Sequence, residues 1–503
     1  MNQVVLINVN AFETRVALLE SASLQELHLQ RASGPGVTGN LYLGRVARVL
    51  PGMQAAFVDI GLERPGFLHV KDVRGSHWPQ LEAARESGDD VPGIERVLRE
   101  GDAILVQVAK DPLAGKGARL TTHVALPSRH LVLMPFSNHV GVSQRIEDEA
   151  ERERLRECVE ALRCETGEPT RGFIVRTVAE GADEDALRAD MRVLDRIWTR
   201  VCQQQQAARS APALIYEELP VQVRVLRDFV GPEVTAIHID CVSTHARALR
   251  YVEQFVPALR DRVRLYEDAV PLFDRHGVEE ELARALDRRV PLKSGGHLVI
   301  DQTEAMTTVD VNTGSYVGER SHEETVFRTN IEAASVIPRQ LRLRNLGGIV
   351  VVDFIDMEAD GHRAEVLRAL EAACAADPAR IRISDLSGLG LVELSRKRTR
   401  ESLARQLCEP CASCGGRGYT RTAESICFEI FRALLRDAMR RSERPAHAAY
   451  LVRATQAVLD RLLDENADDV ERLAARVGLP IRFQVEPSYA IEHFDVVLLQ
   501  DPA

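Results

Sequence analysis

The chain has 503 residues, of which 45% are apolar and 28% are charged, and its formal net charge is −11. This composition is ordinary for a globular protein with room for two to four domains. The longest apolar run, residues 347–355, is too short to span a bilayer, and the negative charge argues against a nucleic-acid interface spread over the whole surface. Nine cysteines without a secretory leader predict a cytoplasmic protein whose clustered cysteines bind metal rather than form disulfides.

The first part of the chain is predicted to be β-structure. Residues 1–30 alternate like paired strands, and five short strands with glycine turns from Gly39 onward predict a small Greek-key barrel of the oligonucleotide-binding kind. A more polar insert, residues 74–99, interrupts the barrel. Phe57 and Phe67 lie near basic residues and could stack on bases, although the strand pattern alone favours a core position for both.

Residues 131–220 mix strands with two predicted helices. Arg176 and Thr177 end an apolar strand, where a guanidinium and a hydroxyl can hold a phosphate. An exposed strand end without a ligand explains the pair equally well. The strings VQVRVL and EVTAIHID then predict strands that complete the N-terminal sheet, which would make residues 38–220 an insertion.

Two aspartates mark the α/β segment that follows. Asp310 lies on the strand TTVDVN and Asp353 on the strand IVVVDFI, with a long predicted helix between them. A two-residue period puts Asp310 and Asn312 on one face of their strand, opposite Val309 and Val311. Burying a carboxylate on an apolar strand destabilises the fold unless the carboxylate is paired or holds a cation. Two carboxylates with an amide are suitable ligands for magnesium. The sequence therefore predicts a magnesium site on neighbouring strands.

Two basic runs lie in the same part of the chain, at residues 339–344 and 396–400. Each run is either a solvated helix face or a local patch of positive potential for nucleic acid.

The last part of the chain begins with Cys408, Cys411 and Cys414 in a glycine-rich stretch. A Cys-x-x-Cys is half of a tetrahedral zinc site, and no second pair with convincing spacing occurs elsewhere. Either Cys408 and an unseen residue complete the site, or a second copy of the chain does. The remainder predicts helices at 423–441 and 455–476, with short strands near 480–484 and 493–499.

Several long motifs, in the same order along the chain, resemble the ribonuclease E/G family. They are GNLYLGRVARVLPGMQAAFVDIG, GFIVRT, SGGHLVIDQTEAMTTVDVNTG, RQLRLRNLGGIVVVDFIDM, LGLVELSRKRTRES and CEPCASCGGRG. The resemblance runs nearly end to end.

The resemblance implies an α/β and β multidomain protein in which a ribonuclease-H-like fold is split around an insertion. The implied parts are a ribonuclease-H-like fold at 1–37 and 221–286, an S1 RNA-binding barrel of the OB type at 38–127, a 5′-sensor at 128–220, a deoxyribonuclease-I-like catalytic subdomain at 287–407, a zinc link at 408–418 and a small α+β dimerisation or oligomerisation domain at 419–503.

The same resemblance implies two metal sites. Asp310 and Asp353 match the family's magnesium-binding aspartates, and Asn312 matches its supporting amide. Cys411 and Cys414 match a zinc link in which each protomer gives two thiolates to one shared ion.

It also implies two RNA-binding sites. Phe57, Phe67 and Lys116 match the S1 residues that contact RNA, which reverses the expectation of a core role for the phenylalanines. Arg176 and Thr177 match the pair that recognises a 5′-monophosphate.

The expected function is that of a magnesium-dependent endoribonuclease that cuts single-stranded RNA, prefers a 5′-monophosphate and leaves 5′-phosphate and 3′-hydroxyl ends. The resemblance further implies 16S ribosomal RNA 5′-end maturation, messenger RNA decay and a homodimer or dimer of dimers joined by structural zinc. One alternative is a non-catalytic RNA-binding scaffold, which would have to lose one of the two aspartates. Another is a DNA-directed phosphodiesterase, which is favoured only by the deoxyribonuclease-like subdomain.

Overall fold

The structure is a computed structural model that describes residues 2–34, 36–74, 93–112, 116–165, 171–231, 233–314, 322–398, 400–440 and 448–500. It forms two compact units, residues 1–406 and 407–503. The first unit combines a closed five-stranded barrel with three further sheets, and the second contains a three-stranded sheet. The predicted α/β and β multidomain class is therefore confirmed. No helix within the described ranges is long and apolar enough to cross a bilayer.

Three N-terminal strands form an antiparallel meander. They are β1 Gln3–Val9, β2 Glu13–Glu20 and β3 Ser23–Arg31. Their apolar side chains, including Val5 and Val16, are buried in one core.

The next strands close into the barrel. They are β4 Leu41–Leu50, β5 Ala55–Asp59, β6 Gly66–His69, β7 Ala103–Lys110 and β8 Arg119–Thr121, with the short helix α1 Ile94–Val97 before β7. Because β4 pairs with both β5 and β7, the sheet closes in the order β4-β5-β6-β8-β7. Gly44 permits the close packing, since a Cβ there would lie 2.5 Å from the side chain of Val58. Most of the predicted polar insert, residues 75–92, lies outside the described residues.

A small sheet and two long helices follow the barrel. Their elements are β9 Leu126–Pro127, β10 Leu131–Met134, β11 Val140–Val142, α2 Glu149–Glu165, β12 Gly172–Val175, α3 Glu184–Ala207 and β13 Ala213–Tyr216. Helix α3 begins after Asp183, whose carboxylate accepts a hydrogen bond of 2.8 Å from the N–H of Ala186. Strand β13 returns to pair with barrel strand β4.

The chain then rejoins the N-terminal sheet. The elements are α4 Val221–Asp228, β14 Val234–Ile239, α5 Val242–Phe255, β15 Val263–Leu265, α6 Leu272–Arg275 and α7 Val278–Arg284. Strand β14 pairs in parallel with β1, which gives the sheet order β15-β14-β1-β2-β3. The strand prediction for VQVRVL is wrong, because this string forms helix α4. Most of its side chains are buried on every side of the helix, so the alternating valines do not mark a strand with one buried face.

A six-stranded sheet with two long helices and one short helix completes the first unit. Its elements are β16 Arg289–Pro291, β17 His297–Gln302, β18 Met306–Asn312, α8 His322–Leu343, β19 Gly348–Asp353, α9 Asp360–Cys374, β20 Ile381–Ile383, β21 Leu391–Arg396 and α10 Leu403–Leu407. Strands β18 and β19 are parallel neighbours, so the chain must cross over between them, and α8 makes that connection. The carboxyl ends of both strands therefore lie at the same edge of the sheet.

Arginines from the two basic runs bind other parts of the first unit. Arg342 on α8 donates to Glu26 on β3 at 2.6 Å, and Arg396 on β21 binds Asp377 at 2.7 Å with both side chains almost fully buried. Burial alone would raise the pKa of Glu26, but the hydrogen bond from His28 and the nearby arginines lower it to about 2. Of the two alternatives for the basic runs, the solvated helix face does not apply to these two arginines, because they make buried ion pairs.

The second unit places its helices against a small mixed sheet. Its elements are α11 Ala423–Arg440, β22 Ala448–Ala454, α12 Gln456–Leu463, α13 Ala467–Val477, β23 Ile481–Val485 and β24 Asp495–Gln500. Central strand β22 pairs in parallel with β23 and antiparallel with β24. The single helix predicted over 455–476 is in fact two helices, separated at residues 464–466, and β22 was not predicted.

Candidate active site and RNA-binding surfaces

Asp310 and Asp353 lie directly opposite each other on the parallel strands β18 and β19. Adjacent strands are about 4.8 Å apart, so the two side chains leave the sheet as close neighbours. Both aspartates are exposed, whereas Val309 and Val352 beside them are buried in the core. The alternation of the two strands thus brings two carboxylates together at the sheet edge.

The surroundings of this pair suit a divalent cation. The Asn312 amide donates from Nδ2 to Oδ2 of Asp310 at 2.8 Å, which orients that carboxylate. Partial desolvation by the surrounding protein raises the pKa of Asp353, and the negative charges of Asp310 and Asp356 raise it further. A bound cation would relieve this repulsion between like charges.

The donor set is compatible with magnesium. Within the described ranges, no group of three or more His, Cys, Asp or Glu side chains is arranged around one point. Magnesium commonly uses only one or two protein carboxylates and keeps several waters, so the hard oxygens of Asp310 and Asp353 are sufficient ligands.

Asp356 follows three residues after Asp353, beyond the end of β19, so the two-residue strand period does not decide which way its side chain points. The negative charge of Asp356 contributes to the raised pKa of Asp353.

Phe57 and Phe67 face each other on the outside of the barrel. They are register partners on β5 and β6, and their ring centroids are 6.0 Å apart in an edge-to-face arrangement. Both are half-buried, while their neighbours Ala56, Val58 and Leu68 fill the barrel core. The core position favoured by the strand pattern is therefore wrong, and both rings have an exposed face.

Basic side chains flank the two rings on the neighbouring strands. Arg48 on β4 is the register partner of Phe57, and Arg119 on β8 is the partner of Phe67. Lys116 is exposed on the segment that leads into β8. The local sequence pattern does not single out Arg48 and Arg119, because strand pairing places them beside Phe57 and Phe67.

Arg176 and Thr177 belong to a polar cluster at the end of β12. The Arg176 guanidinium donates to the Ser128 carbonyl at 2.6 Å and to Oδ1 of Asp228 at 2.8 Å. The hydroxyls of Thr177 and Ser143 are 2.9 Å apart and share a hydrogen bond. Two protein groups therefore hold the Arg176 guanidinium in one orientation.

Cys411 and Cys414 lie in a tight turn of the second unit. The Gly415 N–H donates to the Cys411 carbonyl at 2.7 Å, and Cys408 and Cys411 are exposed. Backbone N–H groups of Cys414 and Ser413 lower the pKa of the Cys411 thiol, which favours the thiolate that metals bind. Two thiolates on such a turn fit half of a tetrahedral zinc site.

Comparisons with known proteins agree over the whole chain. The ribonuclease E/G family model matches residues 125–399, and the model of its thioredoxin-like domain matches residues 410–499. Ribonuclease G of Escherichia coli is 46% identical over 504 residues, which cover 99% of this chain and 100% of that protein. Ribonuclease G of Haemophilus influenzae is 46% identical over 495 residues, with coverage of 98% and 99%. Ribonuclease E of Escherichia coli is 36% identical over 493 residues, which cover 96% of this chain but 45% of that protein. The chain belongs to the ribonuclease E/G family.

Proposed function

We propose that this chain is a magnesium-dependent endoribonuclease that cleaves single-stranded RNA and prefers substrates with a 5′-monophosphate. Its endoribonuclease activity follows from its family and from 46% identity to ribonuclease G over nearly the whole chain. The opposed pair of Asp310 and Asp353 carries the metal part of the proposal, because crowded carboxylates at an exposed sheet edge are suited to a cation.

In this mechanism Asp310 and Asp353 would hold the magnesium ion, and Asn312 keeps the Asp310 carboxylate in one orientation. When bound, the ion would polarise the phosphodiester and lower the pKa of a water. Attack of water on phosphorus with departure of the 3′ oxygen leaves 5′-phosphate and 3′-hydroxyl ends.

The RNA-binding part of the proposal assigns two surfaces. Phe57 and Phe67 stack on bases and Lys116 contacts the backbone, which the exposed rings and the flanking positive charges support. Arg176 and Thr177 bind the 5′-monophosphate through a charge-assisted hydrogen bond and a hydroxyl. We assign the barrel as an S1 domain and residues 128–220 as the 5′-sensor.

The remaining assignments concern the scaffold and the assembly. The N-terminal sheet is assigned as a split ribonuclease-H-like fold and residues 287–407 as a deoxyribonuclease-I-like subdomain. Cys411 and Cys414 of two protomers share one zinc ion, so the protein is a homodimer or a dimer of dimers. We place its activity in the cytoplasm, in 16S ribosomal RNA 5′-end maturation and messenger RNA decay.

Replacing either aspartate tests the catalytic assignment. Asp310→Asn and Asp353→Asn should abolish cleavage but leave RNA affinity within a few-fold, because most of the binding energy comes from phosphate contacts elsewhere. Cleavage rate and RNA affinity are measured for both variants on the same single-stranded RNA.

Asp301→Asn provides the matched control. Asp301 lies on neighbouring strand β17, and its partly exposed carboxylate pairs with Arg288. This variant should cleave normally. Near-normal turnover by an Asp310 or Asp353 variant at saturating magnesium would refute the catalytic assignment of these aspartates. Absence of cleavage by the wild-type protein would instead favour a non-catalytic RNA-binding scaffold.

A further inference from the structure

One buried side chain holds the backbone immediately after Asp353. The chain leaves β19 there and forms a loop, residues 354–359, before α9 begins. Asn330 of α8 donates from Nδ2 to the Ile355 carbonyl at 2.8 Å and accepts from the Ile355 N–H at 3.1 Å. Both backbone polar groups of Ile355 are thus bound by one amide, at a position between Asp353 and Asp356.

Two further side chains hold the rest of this loop. Glu323, at the start of α8, accepts hydrogen bonds of 3.3 Å from the N–H groups of Glu358 and Ala359. Arg363 of α9 donates from Nε to the Met357 carbonyl at 2.8 Å. Glu323 and Asn330 are seven residues apart on α8, so their side chains project from the same face of that helix. The loop is therefore bound along its length by the two flanking helices.

The burial of Asn330 indicates that its hydrogen bonds to the loop are structurally important. The residue is 0% exposed, and a buried amide destabilises the fold unless its hydrogen bonds are satisfied. Adjacent Thr329 is also 0% exposed, but its hydroxyl donates to the Thr325 carbonyl of the same helix at 2.9 Å. Two neighbouring polar groups with equal burial thus have different partners, and Asn330 alone of the two binds the loop.

We propose that Asn330 is a positioning residue for the metal site, because its two hydrogen bonds to Ile355 fix the loop that carries Asp356 and the end of β19 that carries Asp353. This role rests on the proposed magnesium-dependent cleavage. Supporting hydrogen bonds around metal ligands typically change metal affinity or activity by about 10- to 100-fold when they are removed. Loss of the Asn330 amide should therefore raise the magnesium concentration that cleavage requires, while the affinity of the barrel for RNA stays the same.

The test compares Asn330→Asp and Asn330→Ser with the control Thr329→Val. When ionised, the carboxylate in Asn330→Asp keeps the acceptor for the Ile355 N–H but loses the donor to its carbonyl. Asn330→Ser avoids a buried charge. The magnesium concentration at half-maximal cleavage rate should rise about 10-fold in both. The KM for RNA at saturating magnesium should stay at the wild-type value. Thr329→Val loses a buried hydrogen bond but should keep the wild-type magnesium dependence.

Thermal unfolding of each variant shows whether it is folded before the assay. Unchanged magnesium dependence in a folded Asn330 variant would overturn the positioning role, and so would an equal shift in Thr329→Val. Failure of both Asn330 variants to fold would also overturn the positioning role, since Asn330 would then be required for the stability of the whole fold. Magnesium-independent cleavage by the wild type would instead overturn the proposed function, so the two failures can be distinguished.

Discussion

Arg176 is held by the protein on two sides before any substrate binds. The Ser128 carbonyl and the Asp228 carboxylate each accept from one of its terminal nitrogens. A guanidinium with a fixed orientation loses less side-chain entropy when it binds a phosphate than a free one would. This arrangement suits recognition of a single 5′-phosphate group.

Removal of this guanidinium should erase the preference for a 5′-monophosphate over a 5′-hydroxyl. A charge-assisted phosphate contact contributes about 1.5–3 kcal/mol, so Arg176→Ala should lower the ratio of cleavage rates on the two substrates about 10- to 100-fold. Arg171→Ala is the control, because Arg171 precedes the same strand and pairs with Asp195. If the ratio stays at the wild-type value in Arg176→Ala, the 5′-phosphate pocket lies elsewhere.

Single residues could be predicted from sequence where they depend on a local period. Alternation along β18 separates exposed Asp310 from buried Val309, and this was predicted correctly. By contrast, Asn330 binds Ile355, which lies 25 residues further along the chain, and Arg119 is brought beside Phe67 only by strand pairing. No local pattern marks such residues, so only the folded structure identifies them.

At the scale of secondary structure, the barrel strands arrange a row of cations and aromatic rings. Arg48, Phe57, Phe67 and Arg119 occupy register positions on β4, β5, β6 and β8. Neighbouring strands of a closed barrel keep this spacing rigid, which suits stacking of bases between positive charges.

Truncation of either ring should weaken RNA binding. Stacking of a base on an aromatic side chain contributes about 1–3 kcal/mol, so Phe57→Ala and Phe67→Ala should each lower affinity for single-stranded RNA by that amount. Phe12→Ala is the control, since Phe12 is 80% exposed and lies outside the barrel. Equal affinities for all three variants and the wild type would exclude a stacking role for the two rings.

The type of a secondary-structure element can be predicted from sequence where only one face of the element is buried. The meander β1–β3 and helix α3 have regular apolar periods, and their types were predicted correctly. Helix α4 was mistaken for a strand because it is buried on almost every side, which removes the helical contrast between polar and apolar positions. Arg396 looked like part of a solvated surface because the sequence does not reveal its buried partner, Asp377.

At the scale of the whole molecule, the cysteine turn predicts a metal-linked dimer. Purified protein should contain about one zinc per two chains, since a closed site takes four ligands and one chain offers Cys411 and Cys414. Cys411→Ser combined with Cys414→Ser should release the zinc and weaken the dimer, because a shared ion stabilises the assembly only when both chains hold it.

Metal analysis and sedimentation measure these two effects, with Cys408→Ser as the control that should retain both zinc and dimer. One zinc per chain would instead indicate three thiolates from a single protomer and make Cys408 a ligand. An unchanged dimer without zinc would mean that the cysteine turn has no role in assembly.

The most direct measurement is cleavage of a short single-stranded RNA by the wild-type protein, with and without magnesium, followed by analysis of the product ends. The opposed carboxylates of Asp310 and Asp353 predict that cleavage requires magnesium, and attack by water predicts 5′-phosphate and 3′-hydroxyl ends. Equal cleavage rates after complete removal of divalent cations, or products with 2′,3′-cyclic phosphate ends, would contradict magnesium-dependent hydrolysis at this site.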